Sequence, residues 1–159
     1  MTAYYDNRIN AGEEYQDFIC DQLRKANPPI IVQCYSSRRY QWERGESAQG
    51  IEIKFDDQSG HTPNLFIEYE EKTNKNNREY VPSGIMRKDN SWLYLIGNYI
   101  EAFLFSKEQL RRIYLERHLY ERRGIRVAAS GTATSHGILL PKEYAVRSGL
   151  CLNRFVFKE

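Results

Sequence analysis

The chain has 159 residues, a net charge of +2, three cysteines and an aromatic content of 13%. This length suits one domain with a real core rather than two, and the aromatic content excludes a disordered chain. No cysteines have zinc-site spacing, and no leader peptide or membrane-spanning run is recognisable. We therefore expect one cytoplasmic (intracellular) domain covering residues 1–159, with residues 1–11 as a flexible arm.

The first predicted elements are a helix and a strand. From Gly12, apolar residues recur at helical spacing until Asn27-Pro28-Pro29 ends the pattern. The β-branched run 30–35 predicts the first strand. Segment 36–49 then mixes basic and aromatic residues, which either contact phosphates and bases or form an ordinary surface turn. Its arginines are Arg38, Arg39 and Arg44.

Two segments, 51–56 and 65–72, alternate apolar and charged residues, and the segment between them is rich in turn formers. This pattern predicts a hairpin with a long loop. Symmetric pairing would bring Lys54 or Asp56 across from Glu68, with further acids on the same face. Such a concentration of carboxylates needs a counter-ion, and a divalent metal is the natural one. The alternative is a solvent-exposed face with cross-strand salt pairs.

A second hairpin is predicted from the apolar runs 92–96 and 99–105, with its turn at Gly97-Asn98. A helix should follow, because Ser106 is a good N-cap with Gln109 in the capping-box position. Gly124 should end this helix. Its arginines, which include Arg111 and Arg112, form either a solvated face or a phosphate-tracking surface.

Shorter elements complete the prediction. They are extended segments at 125–129 and 137–140, a short helix within 141–150 and an edge strand at 155–157. Together the elements predict an α+β fold, an α/β sandwich in which a mixed sheet is flanked by helices.

Three short motifs resemble a known family. They are Glu52-x-Lys54-x-Asp56, Asn64-x-x-Ile67-Glu68-x-Glu70 and Ser83-Gly84-Ile85. With a preceding helix, they resemble phage-type members of the PD-(D/E)XK, or restriction-endonuclease-like, nuclease superfamily. The resemblance implies a restriction-endonuclease-like core, Mg²⁺ (or Mn²⁺) as cofactor and nucleic acid, most naturally DNA, as partner. No membrane is expected as a partner, and a homodimer is left open.

Under the first alignment with this family, Asp56 and Glu68 are the two metal-binding acids. Glu70 stands where the family usually has lysine, and no proline precedes Asp56. Glu70 is then a third metal ligand or positions the attacking water. The lysine's part would fall to Lys54 or Lys72.

Two other alignments remain open. One uses residues 70–72 as the E-x-K segment, which ends in a lysine on the same strand. The other uses residues 52–54 as the E-x-K segment, with Glu43 or Glu46 upstream as the first acid.

The leading hypothesis is a Mg²⁺-dependent endonuclease that hydrolyses DNA phosphodiester bonds. Asp56, Glu68 and Glu70 would hold the metal, and Lys54 would assist the attack. The DNA backbone would be bound by Arg38, Arg39, Arg44, Arg111 and Arg112. The alternative is a non-catalytic nucleic-acid-binding or interaction module on the same scaffold. The sequence has no P-loop, dinucleotide fingerprint or G-x-S-x-G motif, which excludes the common nucleotide-binding and serine-hydrolase classes.

Overall fold

Two four-stranded sheets and four α-helices form the described part of the chain. The computed structural model describes residues 3–157, without the side chains of residues 3–9, 38 and 42. The helices are α1 (Ala3–Lys25), α2 (Arg38–Arg44), α3 (Lys107–Leu115) and α4 (Lys142–Arg147). The strands are β1 (Ile51–Phe55), β2 (Asn64–Glu71), β3 (Val81–Pro82), β4 (Leu93–Gly97), β5 (Glu101–Ser106), β6 (Arg126–Ala129), β7 (Ser135–Pro141) and β8 (Cys151–Val156).

The first sheet is mixed and has the strand order β1-β4-β5-β8. β1 runs parallel to β4, and the other pairs are antiparallel. The hairpin predicted around Gly97-Asn98 is confirmed as β4–β5. Asn98 closes its turn, because its side-chain oxygen accepts hydrogen bonds from the backbone N–H groups of Ile100 and Glu101. A Cβ at Gly97 would lie 2.1 Å from the Glu101 carbonyl oxygen, so the turn needs glycine there.

The second sheet is antiparallel and has the order β3-β2-β7-β6. Its central pair, β2 and β7, is interrupted by an irregularity of register between Glu68 and Glu70. Glu68 lies opposite Gly137, whereas Glu70 lies opposite His136. Because consecutive residues of β7 face opposite sides, Glu68 and Glu70 lie on different faces of the sheet.

Two apolar clusters show how the layers pack. On β4, Leu93 and Leu95 belong to a cluster with α1, whereas Tyr94 and Ile96 belong to a cluster with the second sheet. The first sheet is therefore covered by α1 on one face and by the second sheet and α3 on the other. The α+β class with a mixed sheet and flanking helices is confirmed at this level.

The predicted hairpin between 51–56 and 65–72 is wrong, because β1 and β2 lie in different sheets. The carboxylate of Asp56 lies between them. It accepts hydrogen bonds from the backbone N–H of Ser59 at 3.1 Å and of Phe66 at 2.9 Å. The Phe66 N–H, which a neighbouring strand could bind, is therefore satisfied by a side chain instead.

Three features of the first 49 residues also differ from the prediction. α1 begins at Ala3, so residues 3–11 are helical rather than a loose arm, and residues 1–2 lie outside the described part. Segment 30–35 forms no strand, only an isolated bridge between Cys34 and Ser47. In segment 36–49, Ser37 caps α2. Across the described chain, no helix combines the length and apolar composition needed to cross a bilayer.

The predicted second long helix is shorter than expected. Its start is confirmed, because the Ser106 hydroxyl accepts a hydrogen bond from the Gln109 N–H at 3.4 Å. α3 ends at Leu115, and two 3₁₀ turns lead to Gly124, whose φ of +84° ends the segment. Leu115 and Leu119 are exposed, so they do not extend the buried face of α3.

We predict that Asp56→Ala destabilises the fold by about 1–3 kcal/mol, because a partly buried backbone N–H at Phe66 loses its acceptor. Asp57→Ala is the matched control, since Asp57 is an exposed neighbouring acid, and should change stability by about 0.5 kcal/mol or less. Urea denaturation followed by circular dichroism measures both. Equal effects of the two changes would contradict the role given to Asp56.

Candidate functional site

Buried charged side chains gather where β1 faces away from α1. Ile51 and Ile53 pack against α1, so Glu52 and Lys54 point to the opposite side of the strand. Glu52 is fully buried, whereas 30% of the Lys54 side chain is exposed. These charged side chains are therefore accessible to solvent at Lys54.

The Lys54 ammonium contacts two glutamates. Its Nζ lies 3.2 Å from Glu52 Oε1 and 3.5 Å from Glu46 Oε1. Glu46 is held in place through its other oxygen, which accepts hydrogen bonds from the Ile53 N–H at 2.8 Å and the Gln16 amide at 3.1 Å. Helix α1 therefore helps to position Glu46.

Glu68 faces Lys54 from the second sheet and interacts with it electrostatically. The Ser83 hydroxyl donates a hydrogen bond to Glu68 Oε1 at 2.7 Å. Gly84 packs against the Glu68 backbone with a φ of +46°, and a Cβ there would lie 2.3 Å from the Glu68 carbonyl oxygen. The Ser-Gly motif thus fixes Glu68 through side chain and backbone. We refer to Glu46, Glu52, Lys54 and Glu68 as the Lys54 cluster.

A second lysine binds the other oxygen of Glu52. Lys107 is fully buried, and its Nζ donates to Glu52 Oε2 at 2.8 Å and to Asp89 Oδ1 at 3.0 Å. Arg87 donates to Asp89 Oδ2 at 2.7 Å. Sequence reasoning missed Lys107 and Asp89. One signal was available, since Lys107 directly follows the N-cap Ser106 at the end of a buried strand.

Burial and neighbouring charges shift the pKa values in the Lys54 cluster. Burial alone would lower the pKa of Lys54, but the three glutamates of the cluster raise it well above its ordinary value. Burial raises the pKa of Glu46 and Glu68, and the nearby ammonium of Lys54 offsets part of this rise. Lys54 is therefore protonated at neutral pH. It can neutralise an anion but is a poor proton acceptor.

Two buried oxygens close to the Lys54 ammonium have no hydrogen-bond partner among the described residues. They are Glu52 Oε1, whose contact with Lys54 is an ion pair without hydrogen-bond geometry, and the Tyr94 hydroxyl. A buried polar atom left in this way is costly. Hard cations such as Mg²⁺ prefer oxygen ligands, so a carboxylate oxygen of this kind is a suitable ligand for one.

A Mg²⁺ site is compatible with this donor set. Within residues 3–157, no group of three or more His, Cys, Asp or Glu side chains is arranged to hold a metal ion. Mg²⁺, however, is usually held by one or two carboxylates, with water and phosphate oxygens as its other ligands. Glu52, whose Oε1 accepts no hydrogen bond, and the neighbouring Glu46 and Glu68 provide such carboxylates.

Asp56 and Glu70, which were predicted to share the metal with Glu68, have other partners. Both Asp56 oxygens accept backbone hydrogen bonds, and burial raises the pKa of this carboxyl group. Glu70 Oε1 lies 2.7 Å from His136 Nδ1, on the other face of the second sheet from Glu68. Of the predicted catalytic residues, the structure thus brings together Lys54 and Glu68.

Lys72, the alternative candidate for the catalytic lysine, lies with Glu70 rather than with the Lys54 cluster. Its Nζ is 4.8 Å from the centre of the Tyr80 ring, and it donates to the Asn77 carbonyl oxygen at 3.2 Å. The Tyr80 ring stacks on His136, the partner of Glu70. The alignment through residues 70–72 therefore does not lead to the buried charges.

The predicted DNA-binding arginines occupy different surroundings. Arg39 and Arg44 are exposed on α2, and the side chain of Arg38 lies outside the described part of the structure. Arg112 is exposed on α3. Arg111 instead donates to two backbone carbonyl oxygens in the segment that follows β3, so its guanidinium joins α3 to that segment. DNA binding by these arginines stays a prediction.

The chain was compared with protein-family models, with curated proteins and with solved structures, and none of them matches it. The likeness to the PD-(D/E)XK superfamily therefore rests on the short motifs around Glu52, Glu68 and Ser83. Two of these motifs meet in space, because Ser83 and Gly84 hold Glu68.

We predict that Lys107→Met destabilises the protein by about 3–5 kcal/mol, because two buried carboxylates then lose their shared cation. Lys88→Met is the control, since Lys88 is exposed beside Asp89, and should cost about 0.5 kcal/mol or less. Chemical denaturation gives both values. A loss no larger than that of the control would show that Glu52 and Asp89 do not depend on this ammonium.

Glu68 should make stability depend on pH. Burial raises the pKa of Glu68 in the folded protein above its value in the unfolded chain. The stability that its proton contributes is therefore fully present at a pH below the pKa of the unfolded chain, and it is lost as pH rises through the pKa of the folded protein. Glu68→Gln, which has no such proton, should gain stability relative to wild type as pH rises from about 4, near the pKa of Glu in the unfolded chain, towards neutrality. Urea denaturation across this range measures the difference. Glu143→Gln, at an exposed site, should show no trend, and a constant difference for Glu68→Gln would contradict the shift.

Proposed function

We propose that this protein is a Mg²⁺-dependent endonuclease that hydrolyses DNA phosphodiester bonds on a restriction-endonuclease-like core, with the Lys54 cluster as its active site. The main support is the Glu52-x-Lys54 segment, whose lysine contacts two carboxylates while Glu68 faces it from the other sheet. This arrangement agrees with the alignment that uses residues 52–54 as the E-x-K segment and Glu46 as the upstream acid. It replaces Asp56 and Glu70 in the proposed site.

Each residue of the Lys54 cluster has a defined part in this proposal. Glu52, together with Glu46 or Glu68, would hold Mg²⁺ (or Mn²⁺) through carboxylate oxygens, with water and phosphate oxygens as its other ligands. When bound, the ion supplies Lewis-acid polarisation of a phosphoryl oxygen. Lys54, which stays protonated, neutralises the negative charge that develops on the phosphate. The exposed part of its side chain gives the phosphate a way to reach it.

A second candidate is a nucleic-acid-binding module without chemistry, and one observation favours it. The acids around Lys54 already have cations: Glu52 pairs with Lys54 and Lys107, and Asp89 pairs with Lys107 and Arg87. A network balanced in this way needs no metal. Calorimetric titration with Mn²⁺ separates the candidates, because only the nuclease should bind the ion and lose it on Glu52→Gln.

We predict that Lys54→Met and Glu68→Gln each lower Mg²⁺-dependent nicking of supercoiled plasmid at least about 100-fold, since each removes a charged group from the site of reaction. Glu70→Gln should cut at close to the wild-type rate, because its carboxylate binds His136 instead. Circular dichroism checks that the variants are folded.

The opposite pattern would overturn this assignment. If Lys54→Met cuts like wild type while Glu68→Gln and Glu70→Gln are both inactive, the metal lies with the acids of the first alignment. If wild type neither nicks DNA nor binds Mn²⁺, the binding module is the better reading of the same cluster.

A further inference from the structure

Two pairs of stacked rings adjoin at one end of the second sheet. Tyr80 stacks on His136 with ring centres 4.2 Å apart, and Tyr69 stacks on Tyr114 at 4.1 Å. The two pairs adjoin, since the centres of Tyr69 and His136 are 6.3 Å apart. We call these four residues the ring column. All four are partly exposed, so the column lies at the surface.

A cation covers each end of the ring column. Lys72 Nζ lies 4.8 Å from the centre of the Tyr80 ring, and the Arg117 guanidinium lies 4.8 Å from that of Tyr114. Within residues 3–157 neither has an ion pair with a carboxylate, and both donate to backbone carbonyl oxygens. Their charges are therefore available to an outside anion.

The ring column is held rigidly from within the sheet. The His136 ring is fixed by its 2.7 Å contact with Glu70, and the Tyr80 hydroxyl donates to the Ala133 carbonyl oxygen at 3.2 Å. Tyr69 and Tyr114 pack against the main apolar core. Binding of a partner that stacks here would therefore cost little conformational entropy, because these side chains are already ordered.

A shallow cavity of about 330 Å³ adjoins the Arg117 end of the column. Its lining residues are Arg117, Glu121, Gly124, Ile125, Arg126 and Val127. Val127 is 52% exposed, so the cavity combines an apolar wall with two arginines and one glutamate. Because Arg117 covers Tyr114 and also lines the cavity, the ring column and the cavity are neighbouring parts of the surface.

We propose that the ring column and the adjoining cavity bind an unpaired DNA strand. Bases stack on the end rings, Tyr80 and Tyr114, while Lys72 and Arg117 leave the ring faces and bind the neighbouring phosphates. A duplex keeps its base faces inside the stack, so this surface selects single-stranded or branched DNA. The inference rests on the proposed function only for the choice of nucleic acid as partner.

Fluorescence anisotropy in EDTA tests this inference without cleavage. The probes are a labelled oligothymidylate of about 15 nucleotides and a blunt duplex of the same length. Wild type should bind the single strand at least about tenfold more tightly than the duplex. Equal or tighter binding of the duplex would overturn the inference.

Two sets of variants show where the strand binds. Lys72→Gln with Arg117→Gln should weaken single-strand binding at least about tenfold and reduce the slope of log affinity against log salt by about 1.4. Tyr80→Leu should weaken it at least about fivefold and leave that slope unchanged, because it removes stacking but no charge. Lys25→Gln with Arg147→Gln removes the same charge at exposed sites on α1 and α4 and should have little effect.

Single-strand binding and DNA cleavage are measured separately, so either can fail without the other. A protein that never cuts DNA but binds oligothymidylate through the column supports this inference alone. A loss in the Lys25/Arg147 control as large as that in the Lys72/Arg117 pair, or no loss in either, would overturn it, whatever the cleavage assay shows.

Discussion

The carboxylate of Glu52 is fully buried with one lysine on each oxygen, and much of the structure around it depends on this arrangement. Removing an ion from water costs several kcal/mol, and only close opposite charges and hydrogen bonds offset that cost. Lys107 begins α3 and also binds Asp89, which precedes β4. One buried carboxylate thereby links β1, the approach to β4 and the start of α3.

The two lysines on Glu52 differ in what they can do. Lys107 is fully buried and makes close hydrogen bonds to two carboxylates, so it has a structural part. Lys54 is partly exposed, meets Glu52 Oε1 without hydrogen-bond geometry and lies among three glutamates. Well-packed apolar side chains often stabilise a protein as well as a buried ion network does. Stability alone therefore does not explain why these charges gather at an opening to solvent, whereas binding of a metal and a phosphate would.

Local sequence patterns predicted which face of a strand a residue occupies, but they did not predict which strands pair with each other. Alternation in segment 51–56 correctly placed Glu52 and Lys54 on the side of the strand away from the apolar residues. It could not show that β1 pairs in parallel with the distant β4, because a period of two carries no information about the neighbouring strand. The turn formers after β1 suggested a hairpin, but they form a 3₁₀ turn capped by Asp56. Lys107 and Asp89 were missed for the same reason, since their partner lies far away in sequence.

The irregularity in β2 explains why the predicted metal site divides into two surfaces. In a regular strand Glu68 and Glu70 would share a face, and on that basis both were expected to bind one ion. The change of register between them turns Glu68 towards Ser83 and Lys54 and leaves Glu70 beside His136. A bulge adds one residue to one strand and so reverses the faces beyond it, which alternation in the sequence does not reveal. β2 thus carries Glu68 of the Lys54 cluster and, two residues later, Glu70, which fixes the ring column. A single DNA strand bound at the ring column would therefore contact the same β-strand that contributes Glu68 to the proposed active site.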